Sequence, residues 1–204
     1  MNLANNQWFF REIHAIDKGH SLEEEPQVRR RKGWTDMSQT DTTGRNFMET
    51  MPMNPRRKDR AISNQDALDL LLAGEYGVLS TVSPDGQPYG VPVSFCVIEE
   101  AIYFHCALEG RKLDHIASNN SVSFCVVGKT EVLPEKFGTK YESAIVSGVA
   151  TEVFDPEKQG ALTGLIGKYS AAHQEEGMKY IETSAARTRV FKISIRSITG
   201  KARR

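Results

Sequence analysis

The sequence predicts a mainly β fold, a small antiparallel barrel with helices inserted between its strands. Six segments between residues 76 and 200 show the alternating or continuous apolar pattern of strands. Most of them are joined by connections short enough for hairpins, which pair neighbouring strands antiparallel. No GxGxxG fingerprint follows a predicted strand, so a doubly wound dinucleotide-binding sheet is not supported. Sequential antiparallel strands with alternating faces favour closure into a barrel.

The strands are expected at residues 76–83, 87–99, 101–106, 121–134, 141–154 and 188–200. The first two flank the sequence PDG (84–86), which is a strong hairpin signal. Pro88 and Pro92 lie within the second strand and have no N–H for a ladder. We therefore expect that strand to lie at an edge, to be bulged, or to face something other than a neighbouring strand.

Four helices are predicted around these strands, at residues 63–74, 111–119, 155–170 and 174–186. In the third, Asp155 is expected as the N-cap, with Pro156 at the first helical position. Ser63 and Asp66 have the spacing of a capping box for the first helix, and Gly74 is expected to end it. The apolar stripe of that helix is formed by Leu68, Leu71 and Leu72.

The chain of 204 residues divides at about residue 52. Residues 1–52 lack sustained periodicity, hold polar tracts and charge blocks, and are predicted to be a poorly ordered extension. Because residues 1–52 contain aromatic side chains, a short docking segment remains an alternative. Translation from a later Met would also explain an extension without periodicity. Residues 53–204 are predicted to form one folded domain.

Composition argues against several classes of protein. Lys and Arg (26) balance Asp and Glu (26), whereas a nucleic-acid-binding protein usually has a basic excess. No apolar run approaches the roughly 18 residues of a membrane span, and no secretory signal is evident. The three cysteines are too widely spaced for a zinc motif, and no metal is predicted. They are interpreted as reduced core thiols of a cytoplasmic protein.

The segment AIYFHCALEGRK (101–112) is the first candidate for chemistry. Arg111 and Lys112 lie at a predicted helix start, where the helix dipole alone disfavours cations. Gly110 allows a ligand to approach the backbone closely, so Arg111 and Lys112 are suited to bind an anion. Phosphate is the anion that we expect at such a helix start. A solvated Arg-Lys pair is the alternative. Strand alternation turns Tyr103 and His105 away from the core face, which is formed by Ile102, Phe104 and Cys106.

Two further segments have features of a ligand site. The proline-containing strand 87–99 could line a flat aromatic ligand, with Gly90 permitting close approach; it could equally be a protected edge strand. Thr139, Tyr141 and Ser143 share one face of the segment FGTKYESAIVSG (137–148), which leads into the fifth strand. Their hydroxyls could hold a polar ring edge or a ribityl chain, or form an ordinary exposed face.

These motifs occur together in one order: RRKDR (56–60), YGVLSTVSPDGQPYGVPVSF (76–95), IYFHCALEGRKLDHI (102–116), VSFCVVG (122–128), FGTKYESAIVSG (137–148) and KYS (168–170). Over residues 55–200 the chain resembles the nitroimidazole-resistance branch of the pyridoxamine 5′-phosphate oxidase-like flavoproteins. The resemblance implies a six-stranded antiparallel split β-barrel that forms a homodimer, with FMN at the subunit interface.

The resemblance also assigns residues to the cofactor. Arg111 and Lys112 match the family's phosphate-binding pair, and His105 matches a histidine near the flavin, which implies a catalytic role. The other FMN-binding positions implied by the match are Val91, Pro92, Val93, Ser94, His105, Cys106 and Ala107, with Thr139, Tyr141, Glu142 and Ser143 reaching the cofactor from the partner chain.

The activity that the resemblance implies is an FMN-dependent oxidoreductase that reduces a small electron acceptor, such as a 5-nitroimidazole. Three alternatives stay open. Pyridoxamine 5′-phosphate oxidation is disfavoured because the end of the chain, SIRSITGKARR, lacks the Trp-containing segment of true oxidases. A non-catalytic flavin- or haem-binding module is the second alternative. Nucleic-acid binding through the tracts RRRK (29–32) and RRKDR (56–60) is the third, and the weak basic excess of residues 1–60 argues against it.

Overall fold

The computed structural model describes residues 55–204, so the expectations for residues 1–52 and for the start of the chain lie outside the described residues. The helices are α1 (Asn64–Ala73), α2 (Arg111–Ser118), α3 (Glu157–Tyr169) and α4 (Gln174–Ser184). The strands are β1 (Ala61–Ile62), β2 (Gly77–Val82), β3 (Pro88–Val93), β4 (Phe95–Ile98), β5 (Ala101–Cys106), β6 (Ser121–Leu133), β7 (Gly138–Val153) and β8 (Arg189–Arg203).

All strands belong to one antiparallel sheet with the order β3-β2-β6-β7-β8-β5-β4, and β1 pairs with β8. The sheet has 8 strands and its pairing does not close into a ring, so the expectation of six strands was wrong. One extra strand is β1, whose two residues are too few to give a periodic pattern. The other arises because the predicted strand 87–99 is interrupted at Ser94.

The interruption at Ser94 is a change of pairing partner. Val93 pairs with Gly77 on β2, whereas Phe95 pairs with Phe104 on β5. The two ends of the sheet, β3 and β4, are therefore linked covalently through this single residue. Of the three arrangements expected for the proline-containing segment, the structure has the edge position, because both of its halves are terminal strands.

The main core lies inside the curved sheet and is rich in phenylalanine. Phe95, Phe104 and Phe124 are fully buried, and burial of each such side chain stabilises the fold by roughly 1.5–3 kcal/mol. Phe95 and Phe124 meet edge to face, with ring centroids 5.0 Å apart. Ile102 and Cys106 join Phe104 in this core, as the alternation of β5 predicted.

The opposite face of β5 carries a second core, which the sequence analysis did not anticipate. Tyr103 was expected to point away from the core, but its side chain is buried beneath α3 and α4. Its hydroxyl donates a hydrogen bond to Glu157 at 2.7 Å. The expectation failed because a strand covered on both faces has no solvent side, and only the tertiary position of the two helices decides this.

Helix α1 begins as predicted. The Ser63 hydroxyl accepts a hydrogen bond from the Asp66 N–H, and the Asp66 carboxylate accepts one from the Ser63 N–H, so the capping box is confirmed. Leu71 is buried in the main core, but Leu72 is 50% exposed and does not belong to the apolar stripe. Ala67 takes that place, because residues four positions apart share a helix face.

The start of α3 differs from the prediction. Pro156 rather than Asp155 is the N-cap, and the Asp155–Pro156 peptide bond is cis. No side chain caps the helix, so the carboxylate of Asp155 does not perform the expected role. Within residues 55–204, no helix is both long enough and apolar enough to cross a bilayer.

All three cysteines are free thiols. Cys96 and Cys106 are buried, as expected for core residues, and Cys125 is half-buried. Burial raises the pKa of Cys96 to about 11 and also raises the pKa of Cys125. Both groups are therefore protonated at neutral pH, and neither has the thiolate character of a nucleophile.

Candidate functional site

The amino end of α2 presents a cation to solvent. Gly110 is the N-cap with φ of 137°, a conformation that favours glycine, and it turns the chain sharply from the end of β5 into the helix. Arg111 follows and is exposed. Among residues 55–204, no carboxylate lies within ion-pair distance of its guanidinium. This cation is therefore available to an anionic ligand.

A layer of three side chains supports Arg111. Its guanidinium carbon lies 5.3 Å from the centroid of the Tyr89 ring on β3. The Tyr89 ring meets the ring of His115 edge to face, with centroids 5.8 Å apart. His115 is buried and its Nδ1 lies 3.0 Å from the Thr81 hydroxyl oxygen. The layer connects α2 to β2 and β3, and these contacts hold the start of the helix, and with it Arg111, in position.

These supporting residues were not among the site residues predicted from the sequence. His115 lies four positions after Arg111, which places both on one side of α2. This spacing in the sequence could have indicated that His115 lies near Arg111. Lys112 is only 6% exposed, so the alternative of a solvated Arg-Lys pair does not hold for this residue.

Strand β3 presents alternate residues to opposite sides. Val91 and Val93 are buried in the main core, while Pro88, Gly90 and Pro92 are exposed. Because amide directions alternate along a strand and neither proline can donate to β2, we expect the Gly90 amide to face the free edge. A Cβ added to Gly90 would meet only ordinary contacts, the nearest at 3.5 Å. The outer face of β3 at Gly90 is therefore exposed and is not filled by neighbouring side chains.

The carboxyl end of β3 runs into the buried residue Ser94 and then into β4. Pairing of Phe95 with Phe104 places this junction next to the end of β5, where His105 lies. His105 is half-buried, pairs across the sheet with Val190, and has a buried Nδ1. The structure therefore brings together the predicted positions on β3, at the end of β5 and at the start of α2.

The end of β5 offers mainly its backbone to this region. The Cys106 side chain belongs to the main core, so a ligand outside the barrel would meet its peptide group rather than its thiol. Ala107 is half-buried and begins the turn into α2. Of the residues 105–107, only His105 has a functional group suited to proton transfer.

The predicted positions on β7 lie elsewhere in the chain. Ser143 pairs with Lys201 on β8, whereas His105 pairs with Val190 on the same strand, roughly 36 Å away along it. Tyr141 accepts a hydrogen bond from Arg60 at 3.5 Å, and Glu142 accepts one from Arg204 at 3.2 Å. Thr139, on the same stretch, is half-buried. One chain therefore does not unite these residues with the Arg111 region.

A second cation lies beside the junction of β3 and β4. The Nζ of Lys168 is 3.7 Å from the centroid of the Phe95 ring, which it covers near the end of α3. Burial lowers the pKa of Lys168. No group of three His, Cys, Asp or Glu residues in the described range 55–204 is arranged to hold a metal ion.

Comparison with known proteins identifies the family. A sequence model described as "Pyridoxamine 5'-phosphate oxidase" matches residues 63–202. The chain belongs to this family. The match confirms the resemblance drawn from the motifs between residues 55 and 200, and it covers the β3 edge, the end of β5 and the start of α2. No curated protein sequence matches the chain.

Solved structures that share the fold come from several bacteria. A candidate 5-nitroimidazole antibiotic resistance protein from Bacteroides thetaiotaomicron is 23% identical, with a TM-score of 0.60 over 70% of this chain and 86% of that chain. A conserved hypothetical protein from Mycobacterium tuberculosis is 19% identical, with a TM-score of 0.63 over 73% and 90%. An FAD- and heme-binding protein from Mycobacterium smegmatis is 20% identical, with a TM-score of 0.61 over 69% and 71%. At these identities the likeness shows the fold.

Proposed function

We propose that this member of the family is a cytoplasmic FMN-binding oxidoreductase that reduces small, flat acceptors, with nitroaromatics such as 5-nitroimidazoles as its substrate class. The observation that carries the proposal is the exposed Arg111 at the amino end of α2, without a carboxylate partner among residues 55–204. A phosphate suits this position because helix N–H groups and a forked guanidinium both favour an anion.

The shape of the region supports an extended ligand with a phosphate at one end. Strand β3 leads from Tyr89, which lies beside Arg111, to Ser94 at the junction. These five steps span roughly 17 Å, a distance that a phosphate, a ribityl chain and a flat ring could follow together. The exposed prolines and Gly90 leave the outer side of this edge open.

The proposed roles follow from these positions. Arg111 and Lys112 hold the phosphate, and the backbone of residues 91–94 borders the ring. Residues 105–107 lie beside the ring and the ribityl chain. His105 donates a hydrogen bond or a proton to the acceptor, since an imidazole suits proton transfer near neutral pH. FMN, when bound, supplies the electron-transfer chemistry.

The proposal includes a homodimer in which a second chain completes the site. The segment Thr139–Ser143 lies far along the sheet from the Arg111 region of its own chain, so only a partner could bring such a segment to it. Exposed apolar side chains on the β6–β7 hairpin support this arrangement, since Val132 is 70% and Phe137 is 99% exposed. Light scattering of the purified protein should give twice the mass of one chain.

The experiment that tests the proposal begins with the absorbance spectrum of the freshly purified protein. Flavin bands should be present or should appear on titration with FMN. The flavin is then photoreduced without oxygen, a 5-nitroimidazole is added, and reoxidation is followed. A Soret band would instead identify a haem-binding module, and a bound flavin that the nitro compound does not reoxidise would indicate a flavin store. Oxidation of pyridoxamine 5′-phosphate by the same preparation would support the alternative activity.

A further inference from the structure

Tyr169, the last residue of α3, connects two backbone segments through its hydroxyl. This oxygen accepts a hydrogen bond from the Phe95 N–H at 2.9 Å. It also lies 2.6 Å from the Glu75 carbonyl oxygen and 3.0 Å from the Phe95 carbonyl oxygen, to which its proton can be donated. One side chain therefore joins the loop before β2 to the junction between β3 and β4.

The junction needs such a contact because the backbone changes partners there. Val93 is the last residue paired with β2 and Phe95 is the first paired with β5, so neither ladder continues through Ser94. Polar backbone groups at a buried break must find other partners. Tyr169 provides them for Phe95, the residue that directly follows Ser94.

The hydroxyl keeps its proton at neutral pH. Burial is the largest influence on Tyr169 and raises its pKa above the usual value, although the hydrogen bonds from Phe95 and Ser94 act in the opposite direction. The group therefore remains able to donate to one carbonyl while it accepts from the amide. Lys168 packs on the Phe95 ring from the same helix end, so the last turn of α3 contacts both the backbone and the side chain of Phe95.

We propose that Tyr169 is a positioning residue that fixes Ser94 and thereby the end of β3 at which the flavin ring is bordered. The proposal deepens the proposed function and rests on it. Because Ser94 lies at the end of β3 away from Arg111, loosening the junction affects the ring rather than the phosphate. FMN and riboflavin should then lose the same factor in affinity, unlike the response to a change at the phosphate clamp.

The test compares Tyr169→Phe with a matched control, Tyr103→Phe. Both tyrosines anchor α3: Tyr103 bonds to Glu157 in its first turn, and Tyr169 is its last residue. The first measurement needs no flavin. Hydrogen exchange of the Phe95 amide should accelerate in Tyr169→Phe, because that amide loses its acceptor, and should stay unchanged in Tyr103→Phe. An unchanged exchange rate of the Phe95 amide in Tyr169→Phe would show that the Tyr169 hydroxyl does not hold the junction between β3 and β4.

The second measurement is flavin binding. In Tyr169→Phe, the Kd values of both FMN and riboflavin should rise about tenfold, as expected for the loss of one or two net hydrogen bonds, and the flavin absorbance bands should shift. Faster exchange with flavin affinity and spectrum equal to those of Tyr103→Phe would refute the positioning role. If the unchanged protein does not bind flavin, both the proposed function and the positioning role are refuted. The exchange rate of the Phe95 amide would still show whether the Tyr169 hydroxyl holds the junction. If Tyr169→Phe does not fold, Tyr169→Gln replaces it. Its shorter side chain does not reach the Phe95 amide, so the same faster exchange and the same rise in both Kd values are expected.

Discussion

Removal of the Arg111 guanidinium is the sharpest test of the phosphate site. Arg111 is exposed and contacts the Tyr89 ring, whereas Lys112 is only 6% exposed. A substitution at Lys112 would therefore disturb packing as well as charge. Arg111→Ala isolates the charge, and Arg111→Lys retains the charge but loses the forked geometry.

The expected magnitude follows from the contacts of Arg111. Stability should fall by no more than about 1 kcal/mol, the usual size of a cation–π contact at an exposed site. A charge-assisted hydrogen bond to phosphate contributes roughly 1.5–3 kcal/mol. The Kd for FMN should accordingly rise about 10- to 150-fold. Riboflavin lacks the phosphate, so its Kd should change by less than about threefold.

The assay is fluorescence titration of the cofactor-free protein with FMN and, separately, with riboflavin. Arg111→Lys should give an intermediate Kd for FMN. Lys179→Ala is the control, because it removes one exposed cation from another helix, α4. Equal weakening of both ligands in Arg111→Ala, or the same loss in Lys179→Ala, would show that Arg111 does not bind the phosphate.

Three further predictions concern other parts of the molecule. His105→Ala should lower the rate at which a 5-nitroimidazole reoxidises the reduced flavin by ~10²–10⁴-fold with flavin content unchanged, and equal rates would exclude a catalytic role. Arg189 donates to Glu152 at 2.8 Å and lowers the pKa of that carboxyl below its usual value of 4.5. Glu152→Gln should therefore lower the free energy of unfolding by about 1 kcal/mol at pH 7. The difference in unfolding free energy between the two proteins should be present above the pKa that Glu152 has in the unfolded chain. It should disappear as the pH falls through the lower pKa that Glu152 has in the folded protein. A difference in urea unfolding that persists in acid would contradict this linkage. A chain that begins at Met53 should fold, dimerise and bind FMN like the full chain, and loss of the dimer or of flavin would show that residues 1–52 contribute.

Local features were readable from the sequence because they depend on near neighbours. The Ser63–Asp66 capping box, the helix start at Arg111, the buried alternation of Ile102 and Phe104, and the edge position of the proline-containing strand all follow from backbone chemistry or from a period of two or four residues. The motifs that carry the family resemblance are likewise contiguous, and the family match confirms them.

Other features depend on which segments meet, and no local pattern encodes that. The interruption at Ser94 occurs because its two flanking residues pair with different strands, although the apolar run continues through it. Tyr103 is buried because α3 and α4 cover a face that alternation alone assigns to the outside.

The candidate site likewise has local features and features that depend on which segments meet. The sequence by itself determined the Arg-Lys pair at a helix start, the proline-bearing edge and the histidine at the end of β5, since each is a residue type at a recognisable local position. Only the tertiary structure decided that Tyr89 supports Arg111 and that Tyr169 holds the Phe95 backbone, 74 residues away in the chain. The physical reason is that these contacts join side chains to segments distant in sequence, so their partners exist only once the sheet and α3 have packed.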